Sequence, residues 1–206
     1  GGIRLRIGAI DLGTNSVRLL VAQPEEDRLK RLAQELRVPR LGEKINENGF
    51  LKEEAIERTI DVLLEYKKII EEFNAEPIVV ATSAVRDADN KEDFITVVKK
   101  ELGWSINIIS GVEEARLSYL GITTGLNEII SDSLAIDIGG GSTEFILGKE
   151  DRIIEYQSIN LGAIRLTESY GNDLTKIRQE VKSNLKSVAN IASYSQLVGV
   201  GGTITT

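Results

Sequence analysis

Apolar and polar positions alternate in three early runs, 5–12, 16–23 and 28–38. That period predicts three short strands joined by polar turns. The spacing then changes: Ile56, Ile60, Leu63, Ile70 and Phe73 recur at helical intervals and predict one long helix over about 52–73. The run PIVVATSA (77–84) reads as a short buried strand ending in a polar loop, and Asn90 is placed to cap a helix reaching about residue 101. INIIS is a strand and GVEEARLSYLGITTG a helix. Three more strands are expected at 134–139, 142–149 and 152–160. A helix around 174–192 follows, with Ile177, Val181, Leu185, Val188 and Ile191 on one face, and a last strand leads into VGVGGT.

The second run of strands repeats the first. AIDLGTNSVRLLVA (9–22) and AIDIGGGSTEFILG (135–148) share Ala, Ile, Asp, Gly and Ser at an offset of 137 − 11 = 126, and most other positions exchange one apolar residue for another. DRLKRL (27–32) is echoed by DRIIEY (151–156), two residues out of that register. Three antiparallel strands followed by alternating helices and strands imply a mixed α/β sheet covered by helices. The expectation is two related α/β domains, 1–123 and 124–206, flanking a cleft into which both polar turns open. The chain has no Met, starts Gly-Gly and ends in LVGVGGTITT, which reads as a fragment with a trimmed or tagged N-terminus and an incomplete second domain.

Composition narrows the chemistry. The chain has no Cys and no His, which removes disulfides, thiolate or imidazole metal sites and imidazole bases. Acid–base or metal chemistry falls to Asp, Glu, Lys or Tyr. A net charge of −7 argues against bulk attraction to nucleic acid or an anionic membrane. No apolar run approaches the roughly 20 residues that span a bilayer, and no signal-peptide pattern opens the chain, so a cytoplasmic protein is expected.

An anionic ligand would then be held by local devices. The turn Gly139, Gly140, Gly141, Ser142 and Thr143 exposes backbone N–H groups with no side chains in the way, a concavity suited to phosphate oxygens. Gly13, Thr14, Asn15 and Ser16 offer the same in the first domain. Either turn alone is equally a Gly-rich hairpin; an aspartate at the same place before both makes the pair more than that. Asp11 and Asp137 sit among apolar residues at strand ends, where an unpaired carboxylate is costly. A hard cation, most simply Mg²⁺, would pair with them, and Glu144 across the turn could flank the same ion. The alternative is that Asp137 only accepts hydrogen bonds from turn amides. GVGGT, with Gly201, Gly202 and Thr203, is a weaker third glycine element and a candidate phosphate or nucleotide contact; neither a dinucleotide fingerprint nor a P-loop is present.

Ser110 and Glu113 have capping-box spacing, which gives Glu113 a structural task. Glu114 lies about 100° further round the helix. Near a helix N-terminus it could orient and deprotonate water, or it is a second helix-start carboxylate. Arg86, in ATSAVRDA, could clamp phosphate at a strand end or pair on the surface with Asp87 or Asp89.

Taken together, AIDLGTNSVRLL, ATSAVRDA, ISGVEEARLSYLG, LAIDIGGGSTEF, NLGAIRLTE and GVGGTITT resemble the exopolyphosphatase / guanosine pentaphosphate phosphohydrolase (Ppx/GppA) family, in order and over nearly the whole chain. The resemblance implies two ribonuclease-H-like domains of the actin-like ATPase superfamily. It implies Mg²⁺-dependent hydrolysis of a terminal phosphoanhydride of inorganic polyphosphate or guanosine pentaphosphate. By its place in EEARL, Glu114 matches the water-activating glutamate. Asp11, Asp137 and Glu144 match acidic residues around the metal, and the two turns with Arg86 match phosphate contacts. GVGGT matches the loop that lies near the nucleoside in superfamily ATPases. The family continues beyond GVGGT, and its members often pair as homodimers. The rival expectations are an ATP-dependent small-molecule kinase of the same superfamily and a non-catalytic sensor binding (p)ppGpp or polyphosphate.

Overall fold

The computed structural model of the chain describes residues 5–26, 28–125, 132–150, 152–188 and 194–201. Its contacts divide the chain into two units, Gly1–Ile109 and Ser110–Thr206.

Among the described residues the first unit is a five-stranded sheet in the order β3-β2-β1-β4-β5. Strands β1 (Ile7–Leu12), β2 (Val17–Glu25) and β3 (Arg28–Arg37) form the antiparallel run; β4 (Glu76–Ala81) and β5 (Ile106–Ile108) add in parallel. The helices are α1 (Ile45–Asn48), α2 (Glu53–Glu72), α3 (Ser83–Asp87) and α4 (Lys91–Leu102). Alternation gives the sheet one buried face: Ile10 and Leu12 of β1 with Val17, Leu19 and Val21 of β2. Helix α2 covers it with Ile60, Leu63, Tyr66 and Ile70. Each such aliphatic side chain contributes about 1.5–3 kcal/mol by leaving water. Gly8 lets the helix approach, since a Cβ there would stand 2.6 Å from Ile70. The buried Tyr66 donates to the Val17 carbonyl at 2.9 Å.

The second unit's described strands run β8-β7-β6-β9: β6 (Asp132–Ile138), β7 (Thr143–Lys149), β8 (Arg152–Ile159) and, parallel to β6, β9 (Gln196–Val200). Helix α5 (Gly111–Gly125) packs on one face through Ala115, Tyr119 and Ile122 against Ala135 and Ile146. Helices α6 (Ala163–Tyr170) and α7 (Leu174–Leu185) lie on the other, where Leu166 and Val181 pack against Leu134, Phe145, Ile159 and Leu161. The duplication extends to irregularities. The β2–β3 ladder shifts register between Val21 and Ala22, and the β7–β8 ladder between Leu147 and Gly148, the same place at offset 126.

Several expectations need correction. The chain after β4 forms a helical turn, α3, where the pattern reads as a loop. Asn90 precedes α4 but does not cap it with its side chain; its amide instead bonds the Leu51 N–H at 2.8 Å and carbonyl at 2.9 Å, 39 residues away. Helix α7 ends at Leu185 and passes into a single 3₁₀ turn, Lys186–Val188; Ile191 lies outside the described residues. Helix α6 has no counterpart in the periodicity reading. The pattern assigns α5 to the first domain, whereas its contacts place it in the second unit. No helix among the described residues is long and apolar enough to cross a membrane.

Candidate functional site

Asp137 and Glu144 are direct cross-strand partners on β6 and β7. The same row continues to Val200 on β9 and Ser158 on β8. These side chains share one face of the sheet, the face that α5 covers. Glu144 is only 4% exposed, and its Oε1 accepts from Ser158 Oγ at 2.8 Å. Asp137 is half-buried, and its Oδ2 accepts from Ser118 Oγ of α5 at 3.3 Å. Gly201, at φ +91°, closes the other side: a Cβ there would stand 2.7 Å from Asp137 Oδ1. Glycine is required at that point both for its backbone conformation and for the room it leaves the carboxylate.

Glu114 sits on α5 four residues before Ser118, so the two side chains share a helix face about 6 Å apart along the axis. The helix start is partly as expected. The Glu113 N–H bonds Ser110 Oγ at 3.2 Å, but the Glu113 carboxylate grips Arg116 through two 2.8 Å bonds rather than closing the capping box. That hydrogen-bonded guanidinium holds the Glu113 carboxyl below its ordinary range. Glu114 is half-buried; of its apolar neighbours, Ala115 is buried and Leu117 exposed. The helix is seated by Tyr119, whose ring occupies the space a Cβ on Gly148 would need and whose hydroxyl bonds the Glu150 carbonyl at 3.0 Å.

Both glycine turns close alike. Gly139 N–H bonds the Ser142 carbonyl at 3.0 Å, and Gly13 N–H bonds the Ser16 carbonyl at 3.0 Å. In the second unit the turn's carbonyls are taken by α6. Gly139 accepts from Ala163 N–H, Gly140 from Ile164 and Arg165 N–H, and Gly141 from Arg165 Nε at 2.9 Å. Thr143 Oγ1 bonds the Leu161 carbonyl. Gly162 lies so close to Gly140 that a Cβ would overlap its carbonyl. A trans peptide points its N–H opposite to its C=O. The N–H groups of Gly140, Gly141 and Ser142 therefore point away from α6, a run of donors suited to an anion. In the first unit the Thr14 and Asn15 carbonyls accept from Gly42 and Arg40 N–H, and Thr14 Oγ1 pairs with Ser83 Oγ at 3.0 Å.

Asp11 does not match the expectation of a carboxylate buried away from positive charge. It is exposed, and its cross-strand partner is Arg18. The signal was available: Arg18 lies seven residues after Asp11, as Glu144 lies seven after Asp137. Arg86 lies in α3, with Nη1 on the Ile109 carbonyl at 3.0 Å and Nε 3.4 Å from Asp87, so pairing with Asp87 occurs. Ser118, Ser158 and Arg165 are the site neighbours that motif reading passes over. Gly202 and Thr203 lie outside the described residues.

Two related mixed sheets with glycine turns after matched aspartates are ribonuclease-H-like units of the actin-like ATPase fold. Residues 20–206 match the model of the Ppx/GppA phosphatase family. The chain belongs to that family. It is 41% identical over 218 residues to a bifunctional 3-dehydroquinate synthase/phosphatase of Fusobacterium nucleatum, covering 96% of this chain and 33% of that protein. It is 34% identical to exopolyphosphatase 2 of Mycobacterium tuberculosis, covering 98% and 69%. With the guanosine-5'-triphosphate,3'-diphosphate pyrophosphatase of Aliivibrio fischeri the identity is 32%, covering 95% and 41%. The crystal structure of the Aquifex aeolicus Ppx/GppA family member superposes with a TM-score of 0.79 at 36% identity, covering 98% of this chain and 67% of that one. The chain thus spans between a third and about two thirds of the length of these relatives.

Proposed function

We propose that the protein hydrolyses terminal phosphoanhydride bonds of inorganic polyphosphate or guanosine pentaphosphate, with Glu114 as the group that activates water. The observation that carries this reading is the placement of Glu114 one helical turn before Ser118, whose hydroxyl bonds Asp137. Glu114 thereby shares a helix face with the residue that bonds Asp137, which supports the reading. The names of the relatives, exopolyphosphatase and guanosine-5'-triphosphate,3'-diphosphate pyrophosphatase, support the substrate class.

The donor chemistry fits Mg²⁺. Among the described residues no three or more acidic side chains cluster as a ready metal cage. Mg²⁺ needs no such cage: one or two carboxylates suffice when waters and substrate phosphates complete its octahedron. Asp137 and Glu144, opposed across one strand pair, would hold it. Bound there, the ion would neutralise charge on the phosphoryl oxygens. Glu114, in the first turn of α5, would orient a water and take its proton. The N–H groups of Gly140, Gly141 and Ser142 would hold phosphate oxygens. Phosphoryl transfer asks mostly for positioning and charge stabilisation, which these parts supply.

The test is Glu114→Gln in the whole protein, assayed with polyphosphate, guanosine pentaphosphate and ATP, with and without Mg²⁺. The expected result is a fall in kcat of about 10²–10⁴-fold with substrate affinity retained. Near wild-type turnover refutes the assignment. ATP consumption only with an acceptor would point to a kinase, and tight binding without phosphate release to a sensor.

A further inference from the structure

The turn that the proposed function uses for phosphate is shaped from behind. Its peptide planes are set by α6, whose first three amides bond the carbonyls of Gly139 and Gly140. The Gly141 carbonyl is held differently, by a side chain: the half-buried Arg165 places Nε 2.9 Å from it. The same residue's backbone N–H bonds the Gly140 carbonyl at 3.1 Å. One residue therefore fixes two consecutive peptide planes, and the N–H groups on their far sides belong to Gly141 and Ser142.

We propose that Arg165 is a positioning residue for anion binding: its guanidinium, bonded to the Gly141 carbonyl, holds the Ser142 N–H toward the phosphate side of the turn. The physical ground is twofold. A flexible glycine run has many peptide orientations in reach, and an anion site needs its donors aimed before the ligand arrives. A charge-assisted hydrogen bond to a carbonyl also polarises the peptide and makes its N–H a better donor. The α6 amides alone leave the third plane without such an anchor. This inference rests on the proposed phosphate role of the turn.

The experiment compares wild type, Arg165→Met and Arg165→Lys of the whole protein. Tripolyphosphate binding is measured by calorimetry in EDTA, and the Ser142 amide is followed by NMR in the ligand-free state. Arg165→Met is expected to weaken tripolyphosphate about tenfold, the scale of one charge-assisted hydrogen bond. Arg165→Lys should recover less than half of that loss on a logarithmic scale, because the lysine nitrogen lies one bond further along the side chain than the Nε that meets the carbonyl. The Ser142 amide resonance should move in both variants before any ligand is added. Binding of the Met variant within twofold of wild type overturns the proposal, as does an unmoved Ser142 amide. Full recovery by Lys overturns it too, since charge alone would then suffice. If the Met variant does not fold, Arg165→Gln with the same two readouts replaces it. A wild type that fails to bind tripolyphosphate both in EDTA and with Mg²⁺ refutes the phosphate role of the turn, and this inference with it.

Discussion

At offset 126, Ala9, Asp11, Arg18 and Leu20 of the first unit correspond to Ala135, Asp137, Glu144 and Ile146 of the second. In the first unit Ala9, Asp11 and Arg18 are exposed and Leu20 half-buried; in the second Ala135, Glu144 and Ile146 are buried and Asp137 half-buried. One hairpin plan thus serves two environments. Helix α5 covers the aspartate face in the second unit, and the residue opposite the aspartate changes from a cation to an anion. Arg18 opposite Asp11 is a compensated cross-strand pair, whereas two carboxylates directly opposite repel and gain from any cation placed between them. The backbone is held in common; burial and the sign of one charge decide which copy is suited to chemistry.

The sharpest way to break this comparison is the same substitution in both copies. Asp137→Asn should cost more than about a hundredfold in kcat/KM, beyond the loss of an outer-shell partner of a metal ligand, and raise the Mg²⁺ needed for half-maximal rate. Asp11→Asn should cost less than about tenfold, because the residue is exposed and its cross-strand neighbour is a cation, Arg18. Equal losses would show that the two aspartates do the same work.

Next come the glycines behind the two turns. A Cβ on Gly162 would overlap the Gly140 carbonyl, which is backbone, whereas one on Gly42 would meet the Thr14 side-chain methyl. Gly162→Ala should therefore destabilise by about 1–3 kcal/mol and lower phosphate affinity, with the Gly42→Ala effect smaller. Denaturant melts of both variants decide it; a larger loss at Gly42 reverses the ranking.

The smallest effect is confined to the first unit's core. Burial pushes the Tyr66 phenol up to about 12, against the partial opposition of Arg37. The folded-state value stands above the unfolded one, near 10. The stabilisation is thus complete below about pH 10 and is lost as pH rises through about 12. Tyr66→Phe should lower stability at pH 7 by about 1 kcal/mol, since the Val17 carbonyl loses its donor, and flatten the alkaline decline. Urea titrations at pH 8 and 11 read both; an unchanged alkaline slope would place the pH sensitivity elsewhere.

Much of this was legible in the chain because the signals are local. Period-2 alternation marks the strands, and the repeat at offset 126 pairs the two hairpins. The seven-residue interval from Asp137 to Glu144 sets them across one turn. What escaped reading is set by contacts between distant residues. Helix α6 is short, and its first amides are satisfied by a glycine turn about two dozen residues earlier. Asn90 has the right residue type for a cap, yet Leu51 competes for its amide. Helix α5 follows β5 in sequence, but the notch at Gly148 that receives Tyr119 lies in the other unit.

That notch has a consequence for precision. A tyrosine ring filling the vacancy above a glycine works as a key in a slot: it fixes how far the helix is turned about its own axis. Glu114 lies five residues away, about 140° round and 7–8 Å along, so a slip of a few tens of degrees at the slot would sweep its carboxylate sideways by ångströms. The aim of the proposed proton acceptor is thereby governed by a residue with no side chain, four positions along β7 from Glu144.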